Sequence, residues 1–177
     1  MKTKTINLYS FKELSEEAQE KAIEKLWDLN VDHQWWEITF EDAKQIGLEI
    51  TEFELDRGRY AKGTLIESLP EVCNLIMTNH GEQCETYKTA QQYLAEWNSL
   101  VAKYSDGVNL EKVTEENEYD FDQESDQVEN EFLKSLLEDY SIILQKDYEF
   151  LTSREAILES IEANEYTFTE DGNLENA

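Results

Sequence analysis

The chain has 177 residues, and 41 acidic against 15 basic residues leave a formal charge of −26. That balance argues against direct binding to DNA, RNA or an anionic membrane, which needs clustered Lys and Arg. Apolar residues make up 40% of the chain, with four Trp, nine Tyr and seven Phe, so a real core can form despite the charge. No apolar run has the length of a membrane span and no signal peptide follows Met1, so the sequence reads as soluble and cytoplasmic. Two cysteines, Cys73 and Cys84, make no disulfide framework.

Lys4–Tyr9 alternates loosely and carries β-branched residues, which predicts a first strand. Ser15 then suits a helix N-cap, with Glu16 and Glu17 in the first turn, and Ala18, Ala22, Ile23, Leu26 and Trp27 recur at helical spacing to about Leu29. Asp32 can cap a second helix carrying Trp35, Trp36, Phe40, Ala43 and Ile46, closed by Gly47 in the left-handed conformation. Leu48–Leu55 and Tyr60–Ile66 form a hairpin around Asp56–Arg59, and a slip in apolar phase between Ile50 and Phe53 predicts a bulge. Ser68 and Glu71 fit a capping box, with Pro70 in the first turn of a helix that ends at Asn79–Gly81.

A further helix spans about Glu82–Tyr104, its seam formed by Tyr87, Ala90, Leu94, Trp97, Val101 and Tyr104. A long amphipathic helix is expected from about Gln123 to Leu151, then a short one after Thr152–Ser153 and a last strand over Tyr166–Thr169. The expected fold class is therefore α+β, one domain over residues 1–177. A small antiparallel sheet (N-terminal strand, central hairpin, C-terminal strand) packs with five or six helices. Residues 111–122 are a candidate mobile acidic loop and 173–177 a frayed tail.

The charge is unevenly spread. Residues 1–110 carry 20 acids and 11 bases, whereas residues 111–177 carry 21 acids and only 4 bases. The densest stretch, Glu111–Glu131, holds ten acids opposed by Lys112 alone. Crowded carboxylates repel one another, a cost the fold does not require. A solvated surface or adaptation to high salt are the plain explanations; the sharper one is a partner with a strongly basic surface.

Catalytic signatures are missing. There is no nucleophile elbow, His-Glu-x-x-His, phosphate-binding glycine pattern or Cys-x-x-Cys, and the only histidines are His33 and His80. His80 and Cys84 stand four apart, yet Gly81 interrupts them and a zinc site lacks a fourth ligand. Asp120–Glu131 places acids at calcium-loop positions 1, 3, 5, 7 and 12, but Ser125 stands where that loop needs Gly. No metal or cofactor is therefore expected, and no catalytic residue. Arg57 and Arg59 at the hairpin tip are expected to pair with Glu52, Glu54 or Asp56 across the strands. Trp35 and Trp36 read as core plus a half-exposed edge.

Leu8–Ile23, Asp32–Glu37, Glu41–Lys44 with Gly47 and Leu48, Asp56–Gly58 and Ile161–Gly172 together resemble a group of small acidic phage and prophage proteins. Some of that group carry a label as antitoxin-like stability proteins. The resemblance implies a phage or mobile-element origin and brings no catalytic residue. Small acidic phage proteins include host-defence antagonists that imitate the charge of nucleic acid. The expected function is accordingly a non-catalytic protein that occludes a basic, nucleic-acid-binding host protein. Its binding residues would be Glu115, Glu116, Glu118, Asp120, Asp122, Glu124, Asp126 and Glu129. The alternative is an antitoxin that covers a toxin through apolar helix surface; behind it stand a metal-dependent enzyme and a calcium-binding protein.

Overall fold

The computed structural model describes residues 6–105 and 115–176. The chain is α+β. Among the described residues it forms six α-helices: α1 Glu16–Lys25, α2 Glu37–Gln45, α3 Leu69–Asn79, α4 Glu85–Tyr104, α5 Glu115–Leu151 and α6 Arg154–Ala163. The strands are β1 Tyr9–Ser10, β2 Leu48–Glu54, β3 Tyr60–Leu65, β4 Thr167–Phe168 and β5 Leu174–Asn176. They form two small antiparallel sheets, one ordered β1-β4-β5 and the other the β2-β3 hairpin, where a single sheet was expected. Two compact units result. The first joins the chain up to Trp36 with the segment from Lys146 onward, and the second is Glu37–Gln145. No helix among the described residues is long and apolar enough to cross a membrane.

In the first unit, the Ser15 hydroxyl accepts the Ala18 amide and opens α1; Ser153 does the same for Ala156 at α6. Each supplies one of the orphan amide partners that a helix start lacks. Ala18 and Ala22 of α1 and Ile157 and Ile161 of α6 close over Phe11, Leu14 and Phe168, where Phe11 meets Phe168 edge to face. Helix α1 ends at Lys25, short of the expected Leu29, and turns follow. The first strand is only Tyr9–Ser10; residues 1–5 lie outside the described residues.

The C-terminal end is a correction. Residues expected to fray instead supply β5, with Leu174 opposite Phe168 and Asn176 opposite Thr167. Gly172 makes this return possible. It holds φ 78°, and a Cβ there would stand 2.3 Å from the Ala18 carbonyl oxygen, so no other side chain fits. Asn173 reinforces the turn by bonding Asp171 and Lys25.

In the second unit, Gly47 ends α2 with φ 83°, as its sequence context predicts. The hairpin register shifts between Ile50 and Glu52, at the expected bulge. Ser68 starts α3 without accepting an amide on its side chain, so the expected capping box is not formed. Helices α4 and α5 run antiparallel: Tyr93 packs on Phe132, while Trp97 and Tyr104 both pack on Phe121. Phe132, Leu136 and Tyr140 are fully buried with Ile46, Leu48, Leu69, Val72 and Ile76, which makes α5 the spine of this core.

Arg59 departs from its expected cross-strand pairing. Its Nε donates to Ser141 Oγ at 3.0 Å and its other nitrogen meets Glu138, both on α5. Glu52 is instead taken by Tyr60 and Lys62. The guanidinium fork thereby pins the hairpin tip to the helix.

Candidate partner-binding face

Nine acids and no base fall in residues 115–131. Repulsion between neighbours at i,i+3 and i,i+4 opposes a helix there. Two effects favour it. Glu118 lies near the N-terminal end of the helix, where the positive end of the dipole favours an acid. Phe121, Ser125, Val128 and Phe132, four, three and four residues apart, then continue the apolar seam that faces α4. Helix α5 therefore starts at Glu115, eight residues before the expected Gln123. Of the candidate acidic loop, residues 111–114 lie outside the described residues and 115–122 are helical.

At 3.6 residues per turn, the acids divide between two flanks of the seam. Glu118, Asp122 and Asp126 form one line, all exposed, with successive members about 6 Å apart along the axis. Glu129 extends that line but is half-buried, and burial, helped by the Asp126 charge, pushes its carboxyl above the usual range. Asp120 and Glu124 lie on the opposite flank. Glu124 is already engaged: Lys103 Nζ contacts its two oxygens at 2.6 and 2.7 Å and the Tyr104 hydroxyl donates at 3.1 Å. Lys103, with Tyr104 second, holds the Glu124 carboxyl below its ordinary range. The side chains of Glu115 and Glu116 lie outside the described residues. Of the eight expected binding residues, the structure thus gathers three free and exposed carboxylates on one line and assigns Glu124 to an internal ion pair.

The near-calcium pattern over Asp120–Glu131 is helical throughout, so its acids diverge and do not enclose a cation. Among the described residues, no three His, Cys, Asp or Glu side chains converge as metal ligands would. Cys73 is buried, its thiol pushed up to about 12 by desolvation, and Cys84 is exposed. Trp35 and Trp36 are half-buried, edge to face with each other, and Trp35 also packs on Tyr148.

His80 does not join Cys84. Its Nδ1 lies 2.8 Å from Thr86 Oγ1, and its Nε2 lies 3.6 Å from Asp42 Oδ1. The Tyr140 hydroxyl donates to the other Asp42 oxygen at 2.7 Å. Residues from α2, α4 and α5 thus meet the C-terminal end of α3. Sequence spacing gave no sign of this group, because its members are brought together only by helix packing.

No protein family, curated protein or solved structure matches the chain.

Proposed function

We propose that this protein is a non-catalytic, phage-type antagonist that occludes the nucleic-acid-binding surface of a basic host protein. The observation that carries the reading is the line Glu118, Asp122 and Asp126. All three are exposed on one flank of a helix held through its neighbouring apolar seam, and among the described residues none forms an ion pair. A rigid anionic rod needs no ordering on binding, so its charge is spent on the partner. Its spacing of about 6 Å matches the scale on which a groove lined with Lys and Arg expects phosphates. Long-range attraction would speed encounter and fade with salt.

The test is capture from lysate of a phage host, with duplex DNA as competitor. A nucleic-acid-binding protein should be retained at low salt, released by salt or by DNA, and lost when Glu118→Gln, Asp122→Asn and Asp126→Asn are combined. Retention by the triple variant at every salt concentration contradicts the reading.

A second reading is binding of a toxin through apolar surface, favoured by the exposed Trp27 and Phe150. It requires binding that resists salt and is lost on Trp27→Ala or Phe150→Ala.

A further inference from the structure

The corner where α6 turns into β4 holds a cavity of about 340 Å³, within the range of small-molecule sites. Phe11, Ile161 and Tyr166 give it an apolar wall. Two acids, Glu162 and Glu165, and one base, Lys12, also line it. Lys12 Nζ is already taken by Glu162 at 2.9 Å, whereas the exposed Glu165 carboxylate forms no ion pair or hydrogen bond among the described residues. The cavity therefore carries one unmatched negative charge.

Glu165 is an unfavourable residue for its position. The Tyr166 amide bonds the Ile161 carbonyl and the Glu165 amide bonds the Glu162 carbonyl, the pair of bonds that closes a helix through one left-handed residue. Glu165 is that residue, with φ 53°, where Gly is the usual choice. The end of α6 is also the negative pole of its dipole, which disfavours a carboxylate and favours a cation, and its last turn contains no base. Backbone and dipole thus both oppose a glutamate here. In the same wall, the Thr167 hydroxyl is enclosed yet has no hydrogen-bond partner among the described residues, a rare condition for a buried polar group.

We infer that this cavity is a binding site for a small organic amine, its apolar body against Phe11, Ile161 and Tyr166 and its ammonium against Glu165. An ammonium has three donors and no acceptor, which suits a free carboxylate beside an unsatisfied hydroxyl. Charge selects the class. An anionic ligand would meet Glu165 and the negative end of α6 with like charge, and Lys12 is not free to offset it. The site lies wholly within the first unit, and its test does not depend on the acidic line of α5.

The experiment is an amide NMR titration of the whole protein at neutral pH with phenethylamine, and with phenylacetate as an anion of similar size. Phenethylamine should shift the Phe11, Ile161, Glu165 and Tyr166 amides along one saturable curve, with phenylacetate at least about tenfold weaker. Equal binding of the two probes, no saturable shift, or shifts of the same midpoint at exposed acids on the other helices overturn the site. Glu165→Gln should weaken the amine at least about threefold. Glu165→Gly gives the sharpest contrast: freed of the left-handed strain, it should unfold at a higher urea concentration than wild type while losing the amine. Wild-type amine affinity in either variant, or a fall in stability in Glu165→Gly, overturns the proposal, since the first denies the carboxylate a ligand and the second assigns it to the fold.

Discussion

Asp139 shows how a half-buried acid sets a pH dependence in a chain with so many exposed ones. It is half-buried on α5, and although Thr89 donates to it at 2.7 Å, desolvation dominates and raises its carboxyl above the ordinary range. The folded chain therefore holds this proton to higher pH than the unfolded chain does. The resulting stability is complete below the ordinary carboxylate range and is lost as pH rises through the raised value. At neutral pH the ionised group is a cost. Asp139→Asn, which can still accept from Thr89, should stabilise the protein at pH 7 by no more than about 1 kcal/mol once solvent screening is allowed for. The gain should disappear as pH falls to about 4, as followed by urea unfolding. Asp42 has the opposite sign: its depressed carboxyl contributes stability above the ordinary range that is lost on acidification. Arg59 contributes differently, by geometry. Ser141 is fully buried and accepts from its Nε, so Arg59→Met should cost about 1–2 kcal/mol. Arg59→Lys should recover only part of that, because an ammonium cannot reach both partners with a planar fork.

Among the elements, β5 has the most specific requirement. Gly172→Ala must both hold a positive φ and displace the Ala18 carbonyl, so it should cost at least about 2 kcal/mol and expose β5 to rapid amide exchange. Gly58→Ala tests the same backbone handicap without the clash: φ is 135° and nothing lies within 4 Å of the added atom, so the loss should be smaller. The elements that the sequence revealed are those set by local chemistry. Ser15 and Ser153 cap the helices that follow them, Gly47 ends α2, and the phase slip after Ile50 marks the bulge. What it concealed depends on distant partners. The division of strands into two sheets, the anchoring of Arg59 on α5 and the meeting of Asp42 with His80 all arise from packing. The tail reads as frayed because Leu174–Asn176 lacks strand alternation and gains its order from β4. The first two turns of α5 read as a loop because charge repulsion outweighed a short seam, Phe121 to Val128, that only α4 makes decisive.

Over the molecule as a whole, a charge of −26 is expected to weaken the folded state by self-repulsion. The candidate face concentrates that cost where a helix is already braced by α4, leaving one flank of α5 exposed, the flank that the proposed function assigns to a partner. Of the eight acids that the sequence nominated, the run itself was legible, but its division into two flanks was not, since that depends on which side of α5 the seam occupies. The central claim is that position matters, not just total charge. The most direct measurement compares two variants of equal net charge for binding to the host protein captured by the wild type. One carries Glu118→Gln, Asp122→Asn and Asp126→Asn; the other carries Glu16→Gln, Glu24→Gln and Glu159→Gln, exposed positions on α1 and α6. The account predicts that the α5 variant loses at least about tenfold in affinity while the control keeps wild-type binding within about threefold. Equal losses in the two variants, or none in the first, would contradict it.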